Sequence, residues 1–180
     1  QRGRSCDYDT FTPTNVLSVL DTKGGTSGFD PVWAQPITTA GTAPSARGDH
    51  AAVLIGTDIY IHGGSTYSAK GVGATQLEDL HRFDTSTKTW SGALAPTGTL
   101  PGKRAGHTGV TVGDRYIYFF GGYTAAWSWK AAQTHYSNIG ENYYRDYDTF
   151  TPTNVLSVLD TKGGTSGFDP VWAQPITTAG

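Results

Sequence analysis

In this 180-residue chain, two Arg/His pairs with the same spacing are candidates for binding a ligand. Arg47 precedes His50 by three positions, and Arg104 precedes His107 in the same way. A guanidinium presents a fork of N–H donors that binds carboxylates and other oxyanions, so each pair could bind an anion or an acidic peptide. The alternative, which we favour, is a structural role. In that case each arginine holds a carboxylate or carbonyl groups of a neighbouring structural unit.

A second candidate is the segment from 123 to 153, which is rich in aromatic residues. Amphipathic aromatic side chains beside polar groups are typical of surfaces that bind proteins or carbohydrates. A loop of this length without secondary structure is usually functional or flexible. Equally, the aromatic side chains could pack the loop onto the rest of the protein. The candidate partner-binding residues are Trp127, Trp129, His135, Tyr136, Tyr143 and Tyr144, together with Arg47 and Arg104.

Other chemistry finds little support in the residue spacing. The five histidines show no compact metal-ligand spacing with one another or with Cys6, and Asp79 with His81 reads as a surface pair on one face of a strand. Residues 23–28 have the wrong order for a phosphate-binding loop. No nucleophile motif, triad or spaced carboxylate pair is present. The sequence therefore predicts a protein without catalysis, metal or cofactor.

Composition limits the partners and favours one fold class. The net charge of −2 gives no reason to expect nucleic acid, and the apolar runs are too short for membrane insertion. Abundant Gly (24), 12% aromatic residues and many threonines favour an all-β fold. Low charge and high Thr content lean towards an extracellular location, which is otherwise undetermined. Because the sequence has no Met, we expect a processed chain or a fragment.

The elements that would position these residues are strands in repeated units. Residues 7–41 recur without change as residues 146–180, which indicates a repeat architecture. Between the copies, two strand–turn–strand segments each end in a glycine pair, Gly63-Gly64 and Gly121-Gly122. Such a pair predicts a backbone that passes close to a neighbour or takes a conformation closed to side chains. Each unit reads as a four-stranded antiparallel meander.

The first unit contains, in this order, an apolar strand, a glycine pair, Phe83, an Asp-Thr turn and Trp90, which follows Phe83 by seven positions. This pattern resembles the kelch repeat, in which each repeat is one blade of a β-propeller. The resemblance implies an outer half-blade within residues 7–41, a blade at 47–95 and a second blade at 104–178 with the aromatic loop 123–153. The second unit departs from the pattern, because Leu159 stands at the position of Phe83.

Two and a half blades imply an incomplete ring, since a propeller closes with about four to eight. The resemblance implies a repeat protein whose loops bind a protein partner or copies of itself. The first alternative is an extracellular structural protein that polymerises through the duplicated hairpin and binds carbohydrate. In it, one copy of the hairpin would pair within the chain and the other with a neighbour. A remote alternative is a copper-radical oxidase, disfavoured because Cys6 lies outside any blade strand.

Overall fold

The computed structural model describes residues 13–24, 31–33, 37–67, 73–124, 127–131, 143–146, 151–164 and 169–173, of which 67, 73–74, 127–131 and 143–146 are described by their backbone. The described residues are all-β and include no helix long and apolar enough to cross a membrane. The strands are Leu20–Asp21 (β1), Val32–Trp33 (β2), Ala40–Thr42 (β3), Ala51–Ile55 (β4), Asp58–His62 (β5), Ser65–Tyr67 (β6), Gly73–Gln76 (β7), Leu80–Asp84 (β8), Thr89–Leu94 (β9), Thr97–Gly98 (β10), Thr108–Val112 (β11), Tyr116–Phe120 (β12), Trp127–Ala131 (β13), Tyr143–Asp146 (β14), Leu156–Asp160 (β15) and Val171–Trp172 (β16).

Two five-stranded sheets form the blades. The strand order is β3-β9-β8-β5-β4 in blade I and β10-β16-β15-β12-β11 in blade II. Four strands of each sheet are antiparallel neighbours and make the predicted meander. Burial alternates along the inner strands Ala51–Ile55 and Tyr116–Phe120, as expected of strands with one covered face.

Each sheet also has a fifth, outermost strand that the sequence analysis does not predict. β3 pairs in parallel with β9, and β10 pairs in parallel with β16. Both lie in the linkers before residues 47 and 104, the predicted starts of the blades. The linker therefore runs along the outer edge of its blade before the chain enters the inner strand, and it covers backbone groups that an edge leaves unpaired.

The glycine pairs behave as the sequence predicts. Gly64 and Gly122 both have positive φ angles, 95° and 87°. A Cβ on Gly64 would lie 2.6 Å from the carbonyl oxygen of Gly48, and one on Gly122 would lie 2.6 Å from that of Ala105. Both predicted reasons for glycine therefore apply, and they apply at the same place in each blade.

The core lies between the two blades. Its buried apolar residues are Ala51, Val53, Tyr60, Leu80, Ile117, Phe119, Leu159 and Trp172. The strand register makes Val110 and Phe120 of blade II the equivalents of Val53 and His62 of blade I. Val53 and His62 are buried, whereas Val110 and Phe120 are 59% and 53% exposed. Blade II thus leaves uncovered the face that blade I buries, so the ring is incomplete within the described residues.

The N-terminal hairpin, formed by β1 and β2, lies within residues 7–41, where the outer half-blade stays a prediction. β1 and β2 pair with each other and form a sheet of their own. The side chains of Leu20, Val32 and Trp33 are exposed. Its copy, β15 and β16, lies inside blade II.

Candidate functional site

A third sheet joins the loops of the two blades. Strands β6 and β7 lie in the loop between β5 and β8, and β13 and β14 lie in the loop between β12 and β15. The order is β14-β13-β7-β6, and the two loops meet where β13 pairs with β7. We call this four-stranded arrangement the loop sheet. The expectation that the second loop lacks secondary structure is wrong, because its strands find backbone partners in each other and in the loop of the neighbouring blade.

The loop sheet carries four of the predicted partner-binding residues. Trp127 and Trp129 lie on β13, while Tyr143 and Tyr144 lie on β14. In the register of this hairpin, Trp129 is opposite Arg145 and Lys130 is opposite Tyr144. The predicted residues His135 and Tyr136 lie outside the described residues.

Backbone bridges connect the base of the loop sheet to the inner end of each blade. Gly48 donates its N–H to the carbonyl oxygen of Ser65 at 2.9 Å, and Ala105 donates to that of Tyr123 at 3.1 Å. The Tyr123 hydroxyl also reaches Asp49 of blade I, with 3.3 Å between Oη and Oδ2. Burial, and then the charge of Asp49, raises the pKa of Tyr123. Arg47 and Arg104 are the residues immediately before Gly48 and Ala105, so both start at this base.

Arg47 is engaged inside its own blade. Its Nη1 and Nη2 donate to the two carboxylate oxygens of Asp79 at 2.6 and 2.8 Å. Nη1 also donates to the carbonyl oxygen of Gly63 at 2.9 Å, and Nε donates to that of Ser45. The side chain is buried. The structural alternative predicted a carboxylate and carbonyls as partners of this arginine, and they come from the same blade rather than from a neighbour.

Asp79 connects this arginine to His81. The Nε2 atom of His81 lies 2.8 Å from Oδ2 of Asp79. Burial tends to raise the pKa of Asp79, but the hydrogen bonds from Arg47 and His81 outweigh it and hold that pKa well below its usual value. The sequence analysis took Asp79 and His81 for a surface pair. That is wrong for His81, which is 5% exposed and pairs with Ile61 inside the sheet of blade I.

Arg104 has the same position in blade II but different partners. Its Nη2 donates to the carbonyl oxygen of Pro101. Its Nε and Nη1 have no hydrogen-bond partner among the described residues, although the side chain is 1% exposed. Burial lowers the pKa of Arg104.

A histidine pair lies between the blades near this arginine. The Nδ1 atom of His62 is 3.0 Å from Nε2 of His107, so one ring donates to the other. Burial lowers the pKa of His62 to about 3 and that of His107 to about 4, and the positive charge of Arg104 contributes to both shifts. The ring of His62 also packs on Trp172, with 5.2 Å between centroids.

Sequence reasoning missed this pair and the difference between the two arginines. His62 ends an apolar strand, and its sequence surroundings gave no sign of a partner 45 positions away. The difference could have been found by aligning the strand after each loop, where Asp79 of blade I corresponds to Val155 of blade II. Within the described ranges, no group of three His, Cys, Asp or Glu side chains is placed to hold a metal ion.

Comparisons with known proteins agree with this architecture. Residues 3–159 match the family described as the KLHDC2/KLHL20/DRC7 Kelch-repeats domain. Kelch domain-containing protein 1 of Mus musculus is 32% identical over 111 residues, which are 62% of this chain and 24% of that protein. Kelch domain-containing protein 3 of Bos taurus is 34% identical over 114 residues, or 63% of this chain and 26% of that protein.

Similarity extends to proteins with other names. Acyl-CoA-binding domain-containing protein 4 of Arabidopsis thaliana is 36% identical over 109 residues, 60% of this chain and 14% of that protein. The solved structure of YjhT superposes on 92% of this chain and 59% of its own, with a TM-score of 0.43 and 16% identity. The chain spans about a quarter or less of the length of these three relatives. The family match over most of the chain, together with blades that each end their second strand in a glycine pair, shows that the protein belongs to the kelch-repeat family.

Proposed function

We propose that the chain is a non-catalytic interaction module that presents its loop sheet to a protein partner. The observation that carries this proposal is the pairing of β13 with β7, with Trp127 opposite Ala74 and Ser128 opposite Gly73. It joins the loops of two blades into one surface with aromatic residues on β13 and β14. Kelch repeats generally mediate protein–protein interactions, which supports the same reading.

Two physical properties suit the loop sheet to this role. Trp and Tyr supply large contact areas with few rotatable bonds, and they are enriched where interfaces derive most of their binding energy. The strands β14 and β6 stand at the two ends of the sheet order. An end strand can pair its N–H and C=O groups with an extended segment of a partner.

The internal bonding of the Arg47 network supports an interaction role over catalysis. Asp79 is bonded to both Arg47 and His81, and Arg47 also donates to the main-chain carbonyl of Gly63. Their hydrogen-bonding capacity therefore serves the fold of blade I. We propose that the loop sheet, rather than this charged network, contacts the partner.

Site-specific crosslinking tests the proposal. A photo-crosslinking amino acid is placed at Trp129 of the loop sheet and, as the matched control, at exposed Asp114 in the β11–β12 turn at the opposite end of β12. We expect a partner to crosslink from position 129 and not from position 114. Replacing Trp127, Trp129, Tyr143 and Tyr144 by Ser should then weaken binding of the purified partner by about tenfold or more. Equal crosslinking from both positions, or unchanged affinity of the four-Ser variant, would refute the proposal.

A second candidate function is self-association through the N-terminal hairpin. The observation that favours it is the pairing of Leu20 with Trp33, which matches that of Leu159 with Trp172 in blade II. The free hairpin has the sequence that an inner strand like β12 accepts. We expect sedimentation of the chain to show a concentration-dependent mass that Trp33→Glu abolishes and the control Leu100→Glu, at another exposed apolar site, leaves unchanged. A single-chain mass at every concentration excludes this function. Glycan binding and an extracellular location stay proposals, to be tested on a glycan array and by secretion assay.

A further inference from the structure

The two blades differ in what faces their equivalent arginines. Leu80 and Leu156 pair with His62 and Phe120, the last residues of the second strand in each blade. Counting from these leucines, Val155 occupies the position of Asp79, and Ser157 occupies the position of His81. Blade II keeps the arginine but lacks the carboxylate that binds it in blade I and the histidine that binds this carboxylate.

The described part of blade II supplies no acceptor in their place. Val155 has no polar atom in its side chain. The Oγ atom of Ser157 is buried and has no hydrogen-bond partner among the described residues. Within the described residues, Arg104 is thus a buried cation whose N–H groups on Nε and Nη1 lack an acceptor and whose one side-chain bond goes to the carbonyl oxygen of Pro101. Buried charges are normally paired, because leaving one uncompensated is strongly destabilising.

The side chains near Arg104 are also rich in donors. Its positive charge acts on both His62 and His107, so the guanidinium lies within electrostatic reach of the histidine pair. One N–H of that pair is used in the bond between the rings, and the outer nitrogens, Nε2 of His62 and Nδ1 of His107, have no partner in the described structure. Whichever tautomer is present, one of these outer nitrogens carries a hydrogen and can donate.

From these contacts we propose that Arg104 binds one small oxyanion of carboxylate or phosphate type, which supplies in blade II the negative charge that Asp79 supplies in blade I. The N–H groups on Nε and Nη1 donate to the anion. The hydroxyl of Ser157 and the outer histidine N–H are the further donors in this region. A protein carboxylate and a free anion offer the same chemistry, and the free anion is favoured because the described neighbours of Arg104 include no carboxylate bonded to it.

Thermal unfolding of the full chain at constant ionic strength tests the site. Sodium acetate is the probe for a carboxylate and inorganic phosphate the probe for a tetrahedral anion. We expect at least one of them to raise Tm in a saturable manner, because a ligand that binds the folded state stabilises it by mass action. A flat response to both anions overturns the proposal, and so does a response that does not saturate.

The variant Val155→Asp separates the site from general salt effects. It recreates the carboxylate of blade I beside Arg104, so we expect the apparent affinity for the effective anion, measured by calorimetry, to fall about tenfold or more. The control Asp114→Val makes a change of similar size at an exposed position and should leave the affinity unchanged. Equal anion responses in the wild type and in Val155→Asp contradict the proposal. If Val155→Asp does not fold, the mirror variant Asp79→Val decides, since it should create a second anion-dependent transition in blade I, and its absence counts against the site.

Discussion

The two copies of the duplicated segment have the same sequence and the same strand register but different surroundings. Leu20 pairs with Trp33 and Asp21 with Val32, just as Leu159 pairs with Trp172 and Asp160 with Val171. Leu159 and Trp172 are 0% and 2% exposed, whereas Leu20 and Trp33 are 41% and 65% exposed. The sequence of the hairpin therefore determines the strand pairing, whereas the neighbouring strands determine how far its side chains are buried.

The second copy has a neighbouring strand on each side. β15 pairs with β12 through five residue pairs, from Leu156 opposite Phe120 to Asp160 opposite Tyr116. On the far side, β10 pairs with β16. The first copy has neither neighbour among the described residues. Since strand stability comes mainly from packing against neighbours, identical residues should contribute very differently to the free energy of unfolding in the two copies.

The largest expected difference is between Trp172→Ala and Trp33→Ala. Removing a buried Trp from the core should lower the free energy of unfolding by about 3–5 kcal/mol, while the change at the exposed position should stay within about 0.5 kcal/mol. Urea unfolding of the two variants measures both values. Similar losses at the two positions would show that the first hairpin is docked as firmly as the second, and the comparison would fail.

Lowering the pH should destabilise the packing around the second copy and leave the surroundings of the first copy unchanged. His62 packs on Trp172, and the folded-state pKa values of His62 and His107, about 3 and about 4, lie below the ordinary value of 6.5. The unfolded chain binds protons first, so the stability present above pH 6.5 is lost as the pH falls towards these values. Each histidine accounts for about 1.4 kcal/mol per pH unit in that window.

Urea unfolding at a series of pH values measures this loss. In His62→Phe, which copies the residue found at the equivalent position of blade II, the dependence on pH should be shallower. Fluorescence of single-Trp variants distinguishes the copies, because acid should alter the surroundings of Trp172 and leave those of Trp33 unchanged. An equal response of both tryptophans to acid would contradict this prediction.

The smallest expected difference is between Asp160→Ala and Asp21→Ala. Both aspartates accept a turn bond from a lysine N–H two residues later, at 3.0 Å in the second copy and 2.9 Å in the first. Asp160 also accepts two hydrogen bonds from Arg115, at 2.8 and 2.7 Å. Because this ion pair is exposed, we expect a slightly larger shift of the urea midpoint for Asp160→Ala, and high salt should reduce the difference. A difference that salt leaves unchanged would mean that the turn, rather than the ion pair, is responsible.

The sequence correctly predicted those parts of the fold that depend on residues close together in the chain. The glycine pairs and the meander follow from residue types within a few positions of one another. The fifth strands were missed because Ala40–Thr42 and Thr97–Gly98 are too short to show alternation. The loop sheet was missed because β7 and β13 lie about fifty residues apart, and no pattern in either strand indicates that the other is its pairing partner.

For the candidate site, the sequence identified two equivalent arginines but not their partners. The repeated spacing correctly marked Arg47 and Arg104 as equivalent positions. It could not show that the guanidinium of Arg47 is paired with Asp79 and that Arg104 is buried with no carboxylate bonded to it among the described residues, because this depends on residues distant in sequence. The roles of the aromatic residues on β13 and β14 stay predictions.

The linker strands also affect how a blade resists tension along the chain. β3 runs in the same direction as β9, so the chain enters β3 at one end of this pair and leaves β9 at the other. A pull on the two ends of the blade then loads its outermost hydrogen bonds together in shear, instead of opening them one at a time. The contact is close enough that a Cβ on Gly41 or on Gly98 would overlap the carbonyl oxygen of Trp90 or Trp172, at 2.0 Å in each case. Any larger residue at either glycine would loosen a mechanical clamp that consists of only two or three residues.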